Sequence, residues 1–226
     1  MITHEFDSAD ALASALAEDV GAKLRTRLAA GPAALAVSGG TTPVKFFQAL
    51  AKIPMDWARV TVTLADDRWV AESARRSNAA LVKQHLLQGP AAAARFVPLV
   101  TAHDTPEEGI KTAQAALAAL PMPLAVLVLG LGTDGHVGSL FPDGDRLAQA
   151  LAPPAGGLVE SMRSESVDEP RITLTMPAML AAEHIFIHIE GETKHRVLHA
   201  AMQPGTVEAM PVRAVLARNP DIYWCA

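Results

Sequence analysis

Apolar residues along this chain follow two patterns that take turns. Leu12, Leu16, Val20, Leu24 and Leu28 recur every four residues and form one stripe along a helix, which Ser8 or Asp10 can cap and Gly31-Pro32 can end. Shorter, mainly apolar runs follow. Ala33 to Val37, Val60 to Leu64, Leu124 to Leu129 and Ile185 to Ile189 read as buried strands, and Phe96-Val97 as a shorter one. Helical patterns separate them at Pro43 to Ala51, Asn78 to Leu87, Pro106 to Leu120 and Thr193 to Met202, while a strand Ile172 to Thr175 precedes a helix Pro177 to Ala182. This alternation predicts an α/β fold, a mostly parallel sheet with helices on both faces. No repeat of about 20 to 50 residues is present. The stretch Pro153-Pro154-Ala155-Gly156-Gly157 reads as a loop, because the alternation resumes after it, so one domain over 1–226 is expected.

With 226 residues, half of them hydrophobic, the chain is long enough for one substantial core. Nineteen basic residues are dispersed against 24 acidic ones, with no basic run, so no nucleic-acid partner is expected and an anionic substrate would need a local positive focus. Cys225 is the single cysteine, which leaves no intramolecular disulfide. Met1 to Asp7 lack the features of a signal peptide, and no apolar run approaches the roughly 20 residues that span a bilayer. A soluble, cytoplasmic protein without a membrane partner is the expectation.

The densest chemistry lies in Gly130-Leu131-Gly132-Thr133-Asp134-Gly135-His136-Val137-Gly138-Ser139-Leu140-Phe141-Pro142, directly after a buried strand. Its glycines allow a tight turn and close approach to a ligand, and Asp134 and His136 bring a carboxylate and an imidazole to the strand's carboxyl end. An imidazole is a general base near neutral pH, although a histidine in a glycine-rich loop is also commonly structural. Gly130-x-Gly132-x-x-Gly135 matches the dinucleotide fingerprint, but the acidic residue expected about 20 positions on is missing. Gly138-Ser139 is not flanked as a nucleophile elbow requires, so attack by water is favoured over an acyl-serine.

Ser38-Gly39-Gly40-Thr41-Thr42-Pro43 joins a strand to a helix opening near Pro43 and offers backbone N–H groups and hydroxyls to an anion, a phosphate above all. It lacks the Gly-Lys-Ser/Thr of a Walker A loop. Asp66-Asp67-Arg68 ends the next strand at the same edge of the sheet; elsewhere such a triplet would be a surface ion cluster. Arg171 opens a strand, and Lys194 stands in the first turn of a helix, where a cation opposes the dipole unless an anion is near. His184, His188, His195 and His199 lack a third ligand in metal-site context and read as a solvated face. Neither a metal nor a cofactor is expected.

Taken together, Ser38 to Pro43, Asp66-Asp67-Arg68-Trp69, Ser77-Asn78, Gly130 to Pro142, Arg171 to Thr175 and Gly191-Glu192-Thr193-Lys194 resemble the 6-phosphogluconolactonases, and by fold the glucosamine-6-phosphate isomerases/deaminases. The resemblance implies a Rossmann-like sheet without a dinucleotide and hydrolysis of 6-phosphoglucono-δ-lactone to 6-phosphogluconate, in the oxidative pentose phosphate pathway. It implies His136 as base, Asp134 as its orienting carboxylate, and Arg171, Lys194 and Gly39, Gly40, Thr41 and Thr42 around the phosphate. Arg68 would face the lactone carbonyl or product carboxylate, and Asp66 would line the substrate site. Asp67 departs from the family, which usually carries Glu there. The deaminases read Asp-Glu-Tyr at Asp66-Asp67-Arg68 and continue the histidine loop differently. A deaminase-like enzyme and a non-catalytic sugar-phosphate sensor remain the alternative functions.

Overall fold

The computed structural model describes residues 1–226. Its elements in chain order are β1 (Ile2–Phe6), α1 (Ala9–Ala30), β2 (Ala33–Val37), α2 (Val44–Leu50), β3 (Val60–Leu64), β4 (Asp66–Arg68), α3 (Asn78–His85), β5 (Arg95–Phe96), α4 (Pro106–Ala118) and β6 (Val126–Leu129). The second half continues with α5 (Leu147–Leu151), β7 (Val159–Met162), β8 (Arg171–Leu174), α6 (Met176–Leu180), β9 (His184–Glu190), α7 (Glu192–Ala201), α8 (Val212–Leu216) and β10 (Asp221–Cys225).

Seven strands form one parallel sheet in the order β1-β10-β9-β6-β2-β3-β5, with helices around it. The apolar runs are buried because both faces are covered: all five residues of β2 and all four of β6 lie in the core. The stripe of α1 is buried as its spacing predicts, with Leu12, Leu16, Val20 and Leu24 fully inaccessible. Each such leucine is worth roughly 1.5–3 kcal/mol of transfer free energy. Ser8 caps α1 by accepting from the Ala11 N–H, whereas Asp10 instead pairs with Lys45 in α2.

The strand expected at Ile172 to Thr175 differs in its bounds and in its sheet. Arg171 to Leu174 does not join the parallel sheet; it is the centre of a separate antiparallel sheet in the order β4-β8-β7. Thr175 leaves the strand and caps α6, its hydroxyl accepting from Ala178 N–H. Edge strand β1 and the penultimate strand β10 extend the main sheet beyond the sequence reading.

The chain enters the main sheet at β1 but builds it outward from β2. Next come β3 and β5 on one side, then β6, β9 and β10 on the other. Neighbours β2 and β6 therefore send their following loops in opposite directions. A crevice opens between such loops at the carboxyl end of a parallel sheet, and both glycine-rich loops of this chain leave from that point.

Candidate active site

Above the β2/β6 switch point lies a cavity of about 280 Å³ whose wall includes Gly39, Asp66, Arg68, His136, Arg171 and Lys194. An adjoining cavity of about 190 Å³ shares Ser38, Gly39, Gly40, Gly130 and Lys194 with it and adds Thr41, Thr42 and His188. Every sequence-selected site residue except Asp134 thus lines one of two connected spaces. Asp134 stands behind His136.

The histidine loop is shaped by its glycines. Gly132 N–H donates to the His136 carbonyl and Gly135 N–H to that of Gly132, while Gly135 takes φ +87°, a conformation side chains disfavour. A Cβ on Gly132 would come within 2.1 Å of His136 Nδ1, so the ring occupies the space that the missing side chain leaves. Asp134 Oδ1 accepts from His136 N–H at 3.1 Å and lies 2.6 Å from His136 Nδ1. A carboxylate at Nδ1 keeps the proton there and leaves Nε2 as the nitrogen able to take one. Burial pushes the Asp134 carboxyl upward, but the His136 hydrogen bond and charge outweigh it and hold it below its ordinary value. The Phe141 ring, 4.6 Å away between centroids, packs against the imidazole.

Across the cavity β4 and β8 pair so that Arg68 stands directly opposite Arg171. Like charges in that relation destabilise a sheet, so the pairing calls for an anion between or beside them. Both Nε atoms are buried without a partner. Arg68 spends one N–H on the Arg76 carbonyl at 2.6 Å, and Arg171 is 5% exposed, its pKa lowered by burial against the opposing pull of Asp66. Lys194, in the first turn of α7, is likewise lowered by burial, with Glu190 opposing. None of the three cations is in an ion pair.

The adjacent carboxylates Asp66 and Asp67 separate because consecutive strand residues face opposite ways. Asp66 lines the cavity and accepts a 2.6 Å hydrogen bond from the Ser139 hydroxyl. Asp67, fully buried, accepts from the N–H groups of Arg68, Asn78 and Ala79, and so holds the start of α3. Burial, the largest influence, carries its carboxyl up to about 6 against those three bonds. Ser139 is buried and its hydroxyl donates to Asp66.

A profile described as glucosamine-6-phosphate isomerases/6-phosphogluconolactonase matches residues 7–224. The chain belongs to that family. A 6-phosphogluconolactonase of Rhizobium meliloti (strain 1021) is 47% identical over 225 residues, covering 98% of this chain and 97% of that protein. One from Pseudomonas aeruginosa is 44% identical over 218 residues, 96% and 92% of the two chains. The crystal structure of a 6-phosphogluconolactonase from Shewanella baltica OS155 superposes with a TM-score of 0.96 at 40% identity, over 100% of this chain and 98% of that one.

Within this 6-phosphogluconolactonase-type scaffold, three site residues escape the sequence reading of roles. Asn78, 2% exposed, donates from Nδ2 to the Asp66 carbonyl, and its side chain fills the place of a Cβ on Gly39. It clamps the Ser38–Pro43 turn to β4; its position as the first residue of α3 gives no hint of that. Phe141 packs on His136 and also lies under the Arg171 guanidinium at 5.8 Å, within cation–π range. His188, expected from the sequence on a solvated face, is instead 3% exposed on β9 and lines the smaller cavity. His199 is exposed as expected, and His195 stacks on Trp224 at 3.9 Å. No three His, Cys, Asp or Glu side chains cluster as metal ligands, and no helix is long and apolar enough to cross a membrane.

Proposed function

We propose that this chain hydrolyses 6-phosphoglucono-δ-lactone to 6-phosphogluconate, with His136 as general base. The observation that carries the reading is one cavity holding two halves of an ester hydrolase for an anionic substrate: a carboxylate-oriented imidazole on one wall, and three unpaired cations on the other. His136 Nε2 takes a proton from water as the water oxygen bonds to the lactone carbonyl carbon and the carbonyl electrons move to oxygen. When the tetrahedral centre collapses, the bond to the ring oxygen breaks, and the imidazolium returns the proton to that oxygen. The products are a free hydroxyl and a carboxylic acid, which gives the second proton of the water to solvent and becomes the carboxylate.

Arg68 faces the carbonyl end, where its charge stabilises the oxyanion. Lys194 and Arg171, with the Gly39 to Thr42 turn, receive the phosphate, since charge-assisted bonds to a phosphate are the strong ones. Asp66 accepts a sugar hydroxyl with the oxygen that Ser139 leaves free. The Asp134 charge stabilises the imidazolium between the two proton transfers.

The test is acid release from freshly made 6-phosphogluconolactone, corrected for spontaneous hydrolysis, beside ammonia release from glucosamine 6-phosphate. Fast acid release and no ammonia are expected, and glucono-δ-lactone without phosphate should be a much poorer substrate. Ammonia release would transfer the chain to the deaminases. Binding without turnover of either substrate would make it a sensor.

A further inference from the structure

Outside the machinery assigned above, one buried titratable group stands on the cavity wall without a task. His188 lies in β9 between apolar neighbours, and its Nε2 is 3.1 Å from Glu190 Oε1, the side chain two residues along on the same strand face. The Phe46 ring meets it edge-on at 6.2 Å and holds its plane. Its other nitrogen, Nδ1, is buried and has no hydrogen-bond partner. The same is true of Ser38 Oγ, which lines the same small cavity as His188, Thr41, Thr42 and Lys194. A buried polar atom left unpaired costs free energy on the scale of a hydrogen bond, and such atoms in native proteins mark a ligand or a strain reservoir.

We propose that His188 is a further phosphate-binding residue of this site, giving a hydrogen bond from Nδ1 to an oxygen of the phosphate seated where the two cavities meet, at Lys194 and the Ser38–Thr42 turn. The inference rests on the lactonase reading for the identity of the phosphate ester. With the Glu190 carboxylate on Nε2, Nδ1 is the nitrogen left to donate to a phosphate oxygen. The other charged and titratable groups about Glu190 are Lys194 in α7, Lys45 in α2 and the Cys225 thiol at the end of β10. With Lys45 already paired to Asp10, Lys194 is the cation this wall offers an incoming anion, and His188 stands beside it.

Two substitutions separate a ligand from a tether. His188→Asn places an amide N–H near the position of Nδ1 and loses the reach to Glu190; His188→Gln reaches Glu190 and leaves nothing at Nδ1. The readouts are KM and kcat for 6-phosphogluconolactone, and calorimetric binding of 6-phosphogluconate and of gluconate, each on variants whose melting matches wild type. His188→Gln should raise KM and weaken 6-phosphogluconate on the order of 10-fold, the loss of one charge-assisted bond, with kcat kept. His188→Asn should retain most of the affinity, and gluconate should bind alike to all three proteins. Normal affinity in His188→Gln with a loss in His188→Asn would reduce His188 to a support for Glu190 and overturn the proposal, as would no change in either. Because the binding arm needs no turnover, it judges His188 even if the wild-type protein fails to hydrolyse the lactone.

Discussion

Two imidazole–carboxylate pairs sit on the carboxyl edge of the main sheet, each with its members two residues apart, and they are built for different work. In Asp134–His136 the carboxylate reaches Nδ1 at 2.6 Å across a glycine turn, and the side chains remain 28% and 38% exposed for His136 and Asp134. In His188–Glu190 the two side chains stand on one face of a strand, the carboxylate meets Nε2 at 3.1 Å, and the histidine is 3% exposed. The loop pair leaves its free nitrogen where water and substrate arrive. The strand pair leaves its free nitrogen packed, suited to hold a fixed anion and unsuited to exchange protons with solvent. Which nitrogen the carboxylate takes, and how much water the ring meets, separates a base from a ligand when the residue types are the same.

His136→Asn cuts deepest into that contrast, because Asn keeps a polar side chain in the loop and cannot accept a proton at neutral pH. Loss of a general base costs typically about 10²–10⁴ in rate, and kcat should fall by that order while 6-phosphogluconate affinity stays near wild type. Neither His188 variant should lower kcat comparably. The acid-side fall of kcat/KM should disappear in His136→Asn. Turnover close to wild type, after subtraction of spontaneous hydrolysis, would remove the loop pair from the mechanism and point to Asp66 as base.

Asp67 supplies the third case, a carboxylate as buried as His188 with no imidazole to balance it. Its carboxyl titrates at about 6 in the fold against an ordinary 3.8. The folded state therefore binds more protons than the unfolded state between those values, and the stability contributed by protonated Asp67 is present below that window and lost as pH rises through it. The shift corresponds to about 3 kcal/mol over the window. Relative to Asp67→Asn, wild type should lose denaturation free energy as pH goes from about 4 to about 7. Parallel pH profiles for the two proteins would show that the three backbone N–H groups fully compensate the burial.

How much of this was readable in advance follows the range over which each contact is made. The histidine loop was legible because thirteen consecutive residues carry the glycines, the carboxylate and the imidazole together. The main sheet was legible where β2 and β6 are continuous apolar runs and β3 and β9 are rich in Val, Ile, Leu and Phe. Edge strand β1 mixes polar and apolar residues because one side of it faces solvent, and the pattern Ile2 to Phe6 was too short to speak. The β4-β8-β7 sheet depends on pairing Asp66 with Thr173, over a hundred residues away, and three charged residues do not announce a strand. Once Asp66–Arg68 is known to be a strand, its alternation alone sends Asp66 and Asp67 to opposite faces. His188 was passed over because a histidine in an apolar run has no local sign of the cavity beside it.

Asp134→Asn weakens the loop pair without removing its base. The amide keeps the volume but loses the charge that stabilises the imidazolium, and it can donate to Nδ1 and so favour the tautomer with the proton on Nε2. In a fully buried triad that change is worth about 10⁴; here solvent reaches the pair, so kcat should fall on the order of 10- to 100-fold. The Asp134 carboxyl lies below its ordinary 3.8, so its contribution is present above that value and is lost only as pH falls through the depressed one. Turnover unchanged in Asp134→Asn would mean that the carboxylate neither orients the ring nor supports its charge during the reaction.

The smallest expected effect is that of a chelator. His136 has Nδ1 committed to Asp134, His188 has Nε2 on Glu190, and no third His, Cys, Asp or Glu side chain joins either pair in a group able to hold a metal ion. The charge that a Lewis acid would bring to an ester carbonyl is instead available from Arg68 on the wall of the same cavity. Acid release from 6-phosphogluconolactone should therefore be unchanged after prolonged dialysis against EDTA, in wild type and in the His188 variants alike. A loss restored by one divalent ion, and not by others of equal charge, would mean that a carboxylate of the cleft serves as a ligand and that the contrast between the two histidine pairs omits the reacting centre.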